Sequence, residues 1–146
     1  FSMLRNVSYN NKIITNEIQK AVGVSYSFWL RLKMGGIGSP RMHIKSCSND
    51  IKHELVKDNY PNKAYIELRP KGVCIYFRSL LETFSLTIPY YQLTLFNNSG
   101  AIKLYGNSSW IEFEHSTKAK TFFDKLILER LNYLEQFSAG MDLNSI

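Results

Sequence analysis

The chain has 146 residues, 45% apolar and 14% aromatic, with 18 Lys or Arg against 12 Asp or Glu for a formal net charge of +6. That composition suits one globular domain with a sizeable core and excludes a wholly disordered chain, and no apolar run approaches the roughly 20 residues of a membrane-spanning helix. Two cysteines, Cys47 and Cys74, and the scattered His43, His53 and His115 make neither a disulfide framework nor a zinc-ligand spacing, so free thiols are expected and no metal or cofactor.

Phe1 and Ser2, ahead of Met3, read as the remnant of an expression tag, and a single domain over residues 3–138 with a loose tail at 139–146 is expected. From Lys12 to Val22 the apolar residues Ile13, Ile14, Ile18 and Val22 fall near helical spacing, and Gly23 is a stop, which predicts a short N-terminal helix. Val24 to Met34 alternates strictly. Val24, Tyr26, Phe28, Leu30, Leu32 and Met34 share one face and Ser25, Ser27, Trp29, Arg31 and Lys33 the other, so a strand is predicted. The glycine-rich turn from Gly35 to Pro40 leads to a second strand at Arg41–Ser46 with Met42 and Ile44 inward. Ser48 to Asn59 reads as a short helix or an irregular insertion ended by Tyr60-Pro61-Asn62.

Ala64–Arg69 and Val73–Arg78 alternate around the tight Pro70-Lys71-Gly72 turn and predict a hairpin. Thr83–Ile88 is a further strand, Pro89 permits only an edge or a bend, and Tyr90–Phe96 continues in extended or single-turn form. Turns at Asn97–Gly100 and Gly106–Ser108 separate strands at Ala101–Tyr105 and Ser109–Glu114. Ser116 or Thr117 caps a final helix whose apolar stripe includes Ala119, Phe122, Phe123, Leu126, Ile127, Leu131, Leu134 and Phe137, with Gly140 as its stop.

The charge is uneven. Residues 1–80 hold 13 Lys or Arg and 5 Asp or Glu, a net of +8, and residues 81–146 hold 5 and 7, a net of −2, which together give +6. The basic half could meet an anionic partner, although its cations are spread singly, as on an ordinary solvated surface. Gly36-Ile37-Gly38 lacks the third glycine of a dinucleotide loop, no nucleophile elbow occurs, and Glu112 with Glu114 reads as a solvated strand edge. An enzyme is therefore not expected, nor a small-molecule substrate or a nucleic-acid partner.

The segments YIELRPKGVCIYF, TFSLTIPYYQL, AIKLYG and SWIEFE, followed by the helix from Lys118, resemble the pleckstrin-homology-like fold and in particular its short bacterial relatives. The resemblance implies a mainly β (α+β) fold. Its form is a curled antiparallel barrel or sandwich of about seven strands capped by the C-terminal amphipathic helix, with the chain bending into the second sheet at Ile88-Pro89-Tyr90. It also implies a non-catalytic module that binds phosphoinositides or peptides. Lipid-binding members carry basic residues on the first hairpin, here Trp29 to Ser46. That makes Lys33, Arg41, His43 and Lys45 the candidate anion site, with His43 where an arginine is wanted. The final helix lacks the tryptophan common in the eukaryotic family.

Trp29, Trp110, Tyr76 and Tyr105, with Tyr65, fall on faces opposite the inferred core, where they either lie beneath the flanking helices or form a recognition surface. The favoured expectation is a protein-interaction or self-association module, with a protein partner or homo-oligomer, in the cytoplasm. The alternative is an acidic-phospholipid module peripheral to a membrane.

Overall fold

A computed structural model describes residues 3–56 and 62–144. In chain order the elements are β1 (Leu4–Asn6), α1 (Lys12–Val22), α2 (Phe28–Met34), β2 (Met42–Cys47), α3 (Asn49–Leu55), β3 (Lys63–Arg69), β4 (Gly72–Ser79), β5 (Glu82–Pro89), β6 (Thr94–Asn98), β7 (Ala101–Tyr105), β8 (Trp110–Phe113), a 3-10 turn at Thr117–Ala119, and α4 (Lys120–Asn144). The strands form one antiparallel sheet in the order β1-β5-β4-β3-β2-β8-β7-β6. It is mainly β, as expected, but it stays open between edge strands β1 and β6 rather than closing as a barrel.

Alternation explains the central strands. Ile66 and Leu68 of β3, Val73 and Ile75 of β4, and Leu86 and Ile88 of β5 are all buried on one face, each worth about 1.5–3 kcal/mol on burial. The β3–β4 turn needs Gly72, because a Cβ there would strike the Ile88 carbonyl oxygen and lie 2.5 Å from the Val22 side chain. That close approach lets α1 seat Ile18 and Val22 against Cys74 on the back of the sheet. At the end of β5 the Gln92 amide donates to the Pro89 carbonyl and the Leu93 amide to that of Tyr90, a single turn that carries the chain across to β6.

β2 belongs to both halves of the sheet. Met42 and His43 pair with Ala64 and Lys63 of β3, whereas Ile44, Ser46 and Cys47 pair with β8, and the register shifts between Ile44 and Ser46. The extra residue is Lys45, the mark of a β-bulge. The first turns of α4 close the core with Phe122, Phe123 and Leu126, and two of its cations hold distant backbone: Lys125 Nζ donates to the Gly36 carbonyl at 2.9 Å and the Arg130 guanidinium to the Leu93 carbonyl at 2.9 Å.

α1 has the predicted limits, with Asn11 accepting from the Ile13 and Ile14 amides and Gly23 ending it at φ 89°. The strand predicted at Val24–Met34 is instead a helix over Phe28–Met34. Ser27 accepts from the Leu30 amide and Gly35, left-handed at φ 75°, closes the C-terminus. The segment FWLRLKM contains no β-branched residue and is rich in Leu, Arg, Lys and Met, so local propensity and two caps overrule an alternation that Trp29 already breaks. No hairpin therefore runs from Trp29 to Ser46.

Among the described residues there are eight strands rather than about seven: the one expected at Val24–Met34 is lost, while β6 forms in the segment expected as extended or single-turn and β1, only three residues long, is too short to show a period. Gly140 does not stop the last helix, which continues to Asn144. The expectations for Phe1 and Ser2, for Tyr60-Pro61, for residues 57–59 and for the Phe137 side chain lie outside the described residues.

Candidate functional site

The outer face of the β2–β5 half carries the residues that alternate with the core. The Pro70-Lys71-Gly72 turn pairs Arg69 with Gly72, so paired residues on β3 and β4 have numbers summing to 141: Leu68 with Val73, Ile66 with Ile75, Tyr65 with Tyr76 and Ala64 with Phe77. One step further sets Lys63 across from Arg78. Arg78 in turn pairs with Thr83 of β5, and Lys63 with His43 of β2. Arg41, just before the inward Met42, joins them at the rim of a hollow of about 170 Å3 lined also by Tyr65, Tyr76 and Thr83.

The floor is fixed by aromatic stacking, with the Tyr65 and Tyr76 rings 5.3 Å apart and 29° from parallel. The Tyr76 hydroxyl donates to Glu67 Oε1 at 3.2 Å and accepts from the Arg69 guanidinium at 3.4 Å. Burial, then the neighbouring Cys74 and Glu67, push the Tyr76 hydroxyl far above its ordinary range, so it stays neutral. The Glu67 carboxylate is itself paired with Arg69 at 2.6 Å. Among the described residues no carboxylate lines the hollow, and Arg41, Lys63 and Arg78, all exposed, form no ion pair.

Of the predicted anion residues, Arg41 lines this hollow and His43 stands next to it, opposite Lys63. Lys45 sits at the β2 bulge. Lys33 belongs elsewhere: it lies on α2, and the chain returns from there by bonding Ile37 and Ser39 to Leu68 and Ile66, so α2 adjoins the end of β3 opposite Lys63. Sequence reading missed Lys63 and Arg78 because each is a lone cation at a strand end. The hairpin register counted from the turn is the signal that joins them.

The four aromatic candidates separate into three places. Tyr76 floors the hollow. Tyr105 and Trp110 are paired across β7 and β8 with ring centroids 6.0 Å apart, and Lys103 Nζ sits 3.8 Å from the Trp110 centroid and 4.9 Å from that of Tyr105. Trp29 lies on α2, away from the other three and 78% exposed, with its ring 5.8 Å from that of Phe28. Glu112 corrects the solvated-edge expectation: it is buried, faces Lys103 across the ladder and accepts from Ser46 Oγ at 2.8 Å.

A larger cleft of about 320 Å3 lies between the β6–β7 turn and the start of α4, floored by Ile102, Phe113, Phe123 and Ile127. Two of the charges on its rim, Lys120 and Asp124, pair at 3.1 Å, and His115 contacts the Gly100 carbonyl. Cys47 and Cys74 are free, and burial raises the pKa of both thiols. Among the described residues no three metal-ligating side chains gather, and no helix is long and apolar enough to cross a membrane. Compared with protein-family models, with curated proteins and with solved structures, the chain matches none.

Proposed function

We propose that the protein is a non-catalytic binding module whose ligand is an anionic, phosphate-bearing group held on the outer face of β2–β5. One observation carries the reading: Arg41, Lys63 and Arg78 converge on a hollow with no carboxylate among its described lining residues. Two guanidinium forks and one ammonium suit the several oxygens of a phosphate, to which arginine donates in pairs and lysine acts as a point charge. Thr83 adds a hydroxyl and the stacked tyrosines a stiff floor. Lys45 extends the positive field along β2.

This reading sets the phosphate chemistry expected as the alternative above the interaction module, because the outward aromatics do not converge into one surface. The order of β2–β5, then the β6–β8 meander, then α4 supports a pleckstrin-homology-like arrangement, to which β1, α1 and α2 are additions. Isothermal titration with inorganic tripolyphosphate tests the site, and vesicles with and without acidic lipid separate a headgroup from a free phosphate compound. Salt-sensitive binding reduced roughly a hundredfold by Lys63→Glu with Arg78→Glu is expected, since hydrogen bonds to charged groups contribute ~1.5–3 kcal/mol each. Equal affinity in the folded double variant would refute the site.

A further inference from the structure

We infer that α2 is a membrane-contact helix that seats its Phe28–Leu32–Trp29 ridge in the interfacial layer of an acidic lipid bilayer. The inference does not use the Arg41–Lys63–Arg78 hollow. None of the seven residues of α2 is buried. Phe28 is 66% exposed, Trp29 78%, Leu30 47% and Leu32 58%, four large apolar side chains set out to solvent within five residues. A folded domain rarely leaves such a cluster in water without a use for it.

The geometry gives the cluster a direction. At about 100° per residue, Phe28, Leu32 and Trp29 fall on one arc, Arg31 and Lys33 flank it on either side, and Met34 lies opposite. Met34 and Tyr26 are the residues of this segment that pack on the core. The segment is thus anchored at both ends, at its C-terminus also by Lys125 donating to the Gly35 and Gly36 carbonyls. Its apolar ridge points outward between two cations.

Charge selects the occupant. Arg31 and Lys33 flank the ridge, Lys125 bonds the carbonyls that follow it, and from Ile18 to Asn49 the chain has no Asp or Glu. An apolar wedge of Trp, Phe and Leu between cations complements a bilayer, whose acyl boundary takes the rings while anionic headgroups meet the flanks. A protein partner would present a matching groove to a projecting ridge, and nothing in the charge pattern requires one.

The test uses Trp29 as its own reporter. In a Trp110→Phe background, vesicles of phosphatidylcholine with phosphatidylserine are expected to shift Trp29 emission to the blue and to allow quenching by brominated acyl chains. Pure phosphatidylcholine and high salt should weaken both effects. Phe28→Ser with Leu32→Ser should lower vesicle co-sedimentation roughly tenfold or more with the fold kept, because the residues are exposed. Lys63→Glu with Arg78→Glu should leave the Trp29 shift in place, so loss of the phosphate site and loss of the helix contact are told apart.

Co-sedimentation with unchanged Trp29 emission overturns the inference, as does absence of binding to acidic vesicles. A dimer in light scattering that Trp29→Glu dissolves also overturns it, assigning the ridge to a contact between copies.

Discussion

The outer face of β2–β5 and the outer face of the β6–β8 meander both set cations beside aromatic rings, yet they dispose of the charge in opposite ways. In the meander, Lys103 lies over the Trp110 and Tyr105 rings, with Glu112 as its cross-strand neighbour, so the cation finds its partners within the fold. On β2–β5 the tyrosines stack on each other, Glu67 is taken by Arg69, and Arg41, Lys63 and Arg78 are left to the hollow. A cation is available to a ligand where the structure leaves it unmatched, and residue type alone does not reveal which case applies.

The largest effect expected from that contrast is on stability in the meander. Lys103→Glu sets a carboxylate opposite the buried Glu112 and removes the cation from two rings, a cost of about 2 kcal/mol. Thermal unfolding followed by circular dichroism should show Tm lower by roughly 4–8 °C, with tripolyphosphate affinity unchanged. A variant as stable as the parent would mean that Lys103 is as free as Lys63, and the contrast would collapse.

Arg78→Gln is the mirror experiment. Stability should stay within ~0.5 kcal/mol because the residue is exposed, while tripolyphosphate affinity falls roughly tenfold through loss of charged hydrogen bonds. Titration calorimetry reads the affinity and urea unfolding the stability; a large loss of stability would place Arg78 among the structural cations. A smaller effect is expected of Trp110→Leu, which uncovers Lys103 at a cost of about 1 kcal/mol, measurable as a shifted urea midpoint.

The smallest expected effect is at alkaline pH. Burial holds the Cys74 thiol above its ordinary 9.0 and the Tyr76 hydroxyl above its ordinary 10.0. In each case the unfolded chain loses its proton first. Their contribution to stability is therefore complete below pH 9 and is lost as pH rises beyond it. Tyr76→Phe should be less stable near neutrality by about 1 kcal/mol, the value of a hydrogen bond, but lose less between pH 9 and 11. Parallel pH profiles for parent and variant would show that Tyr76 does not drive the alkaline loss.

The parts of the fold legible in the sequence are those decided locally. α1 is readable because Gly23 ends a helical apolar spacing, and β3–β4 because a Pro-Lys-Gly turn joins two alternating runs. Val24–Met34 misleads because alternation over so few residues also fits a capped helix, and the arbiters are the Ser27 and Gly35 caps rather than the period. Pairings of β1 with β5 and β2 with β8 join residues far apart in the chain and leave no local trace. The hollow is intermediate: Arg41 was singled out for a hairpin that does not form, and Lys63 and Arg78 become neighbours only once the hairpin register is counted.

The sharing of β2 between two ladders has a consequence in time. Its β3 partner begins at Lys63, only 16 residues after β2 ends at Cys47, and the β3–β4–β5 meander can zip as soon as Pro89 is made. The β8 partner of Ile44 is Phe113, so the second ladder cannot start until most of the chain has been synthesised. Closing that large loop carries the entropy cost that slows nonlocal strand pairing. Until then the inner side of β2–β5 lacks Phe122, Phe123 and Leu126, which come later still. A nascent chain arrested before α4 should therefore display an apolar sheet to the cell, and chaperone engagement should cease abruptly, rather than gradually, once the last helix emerges.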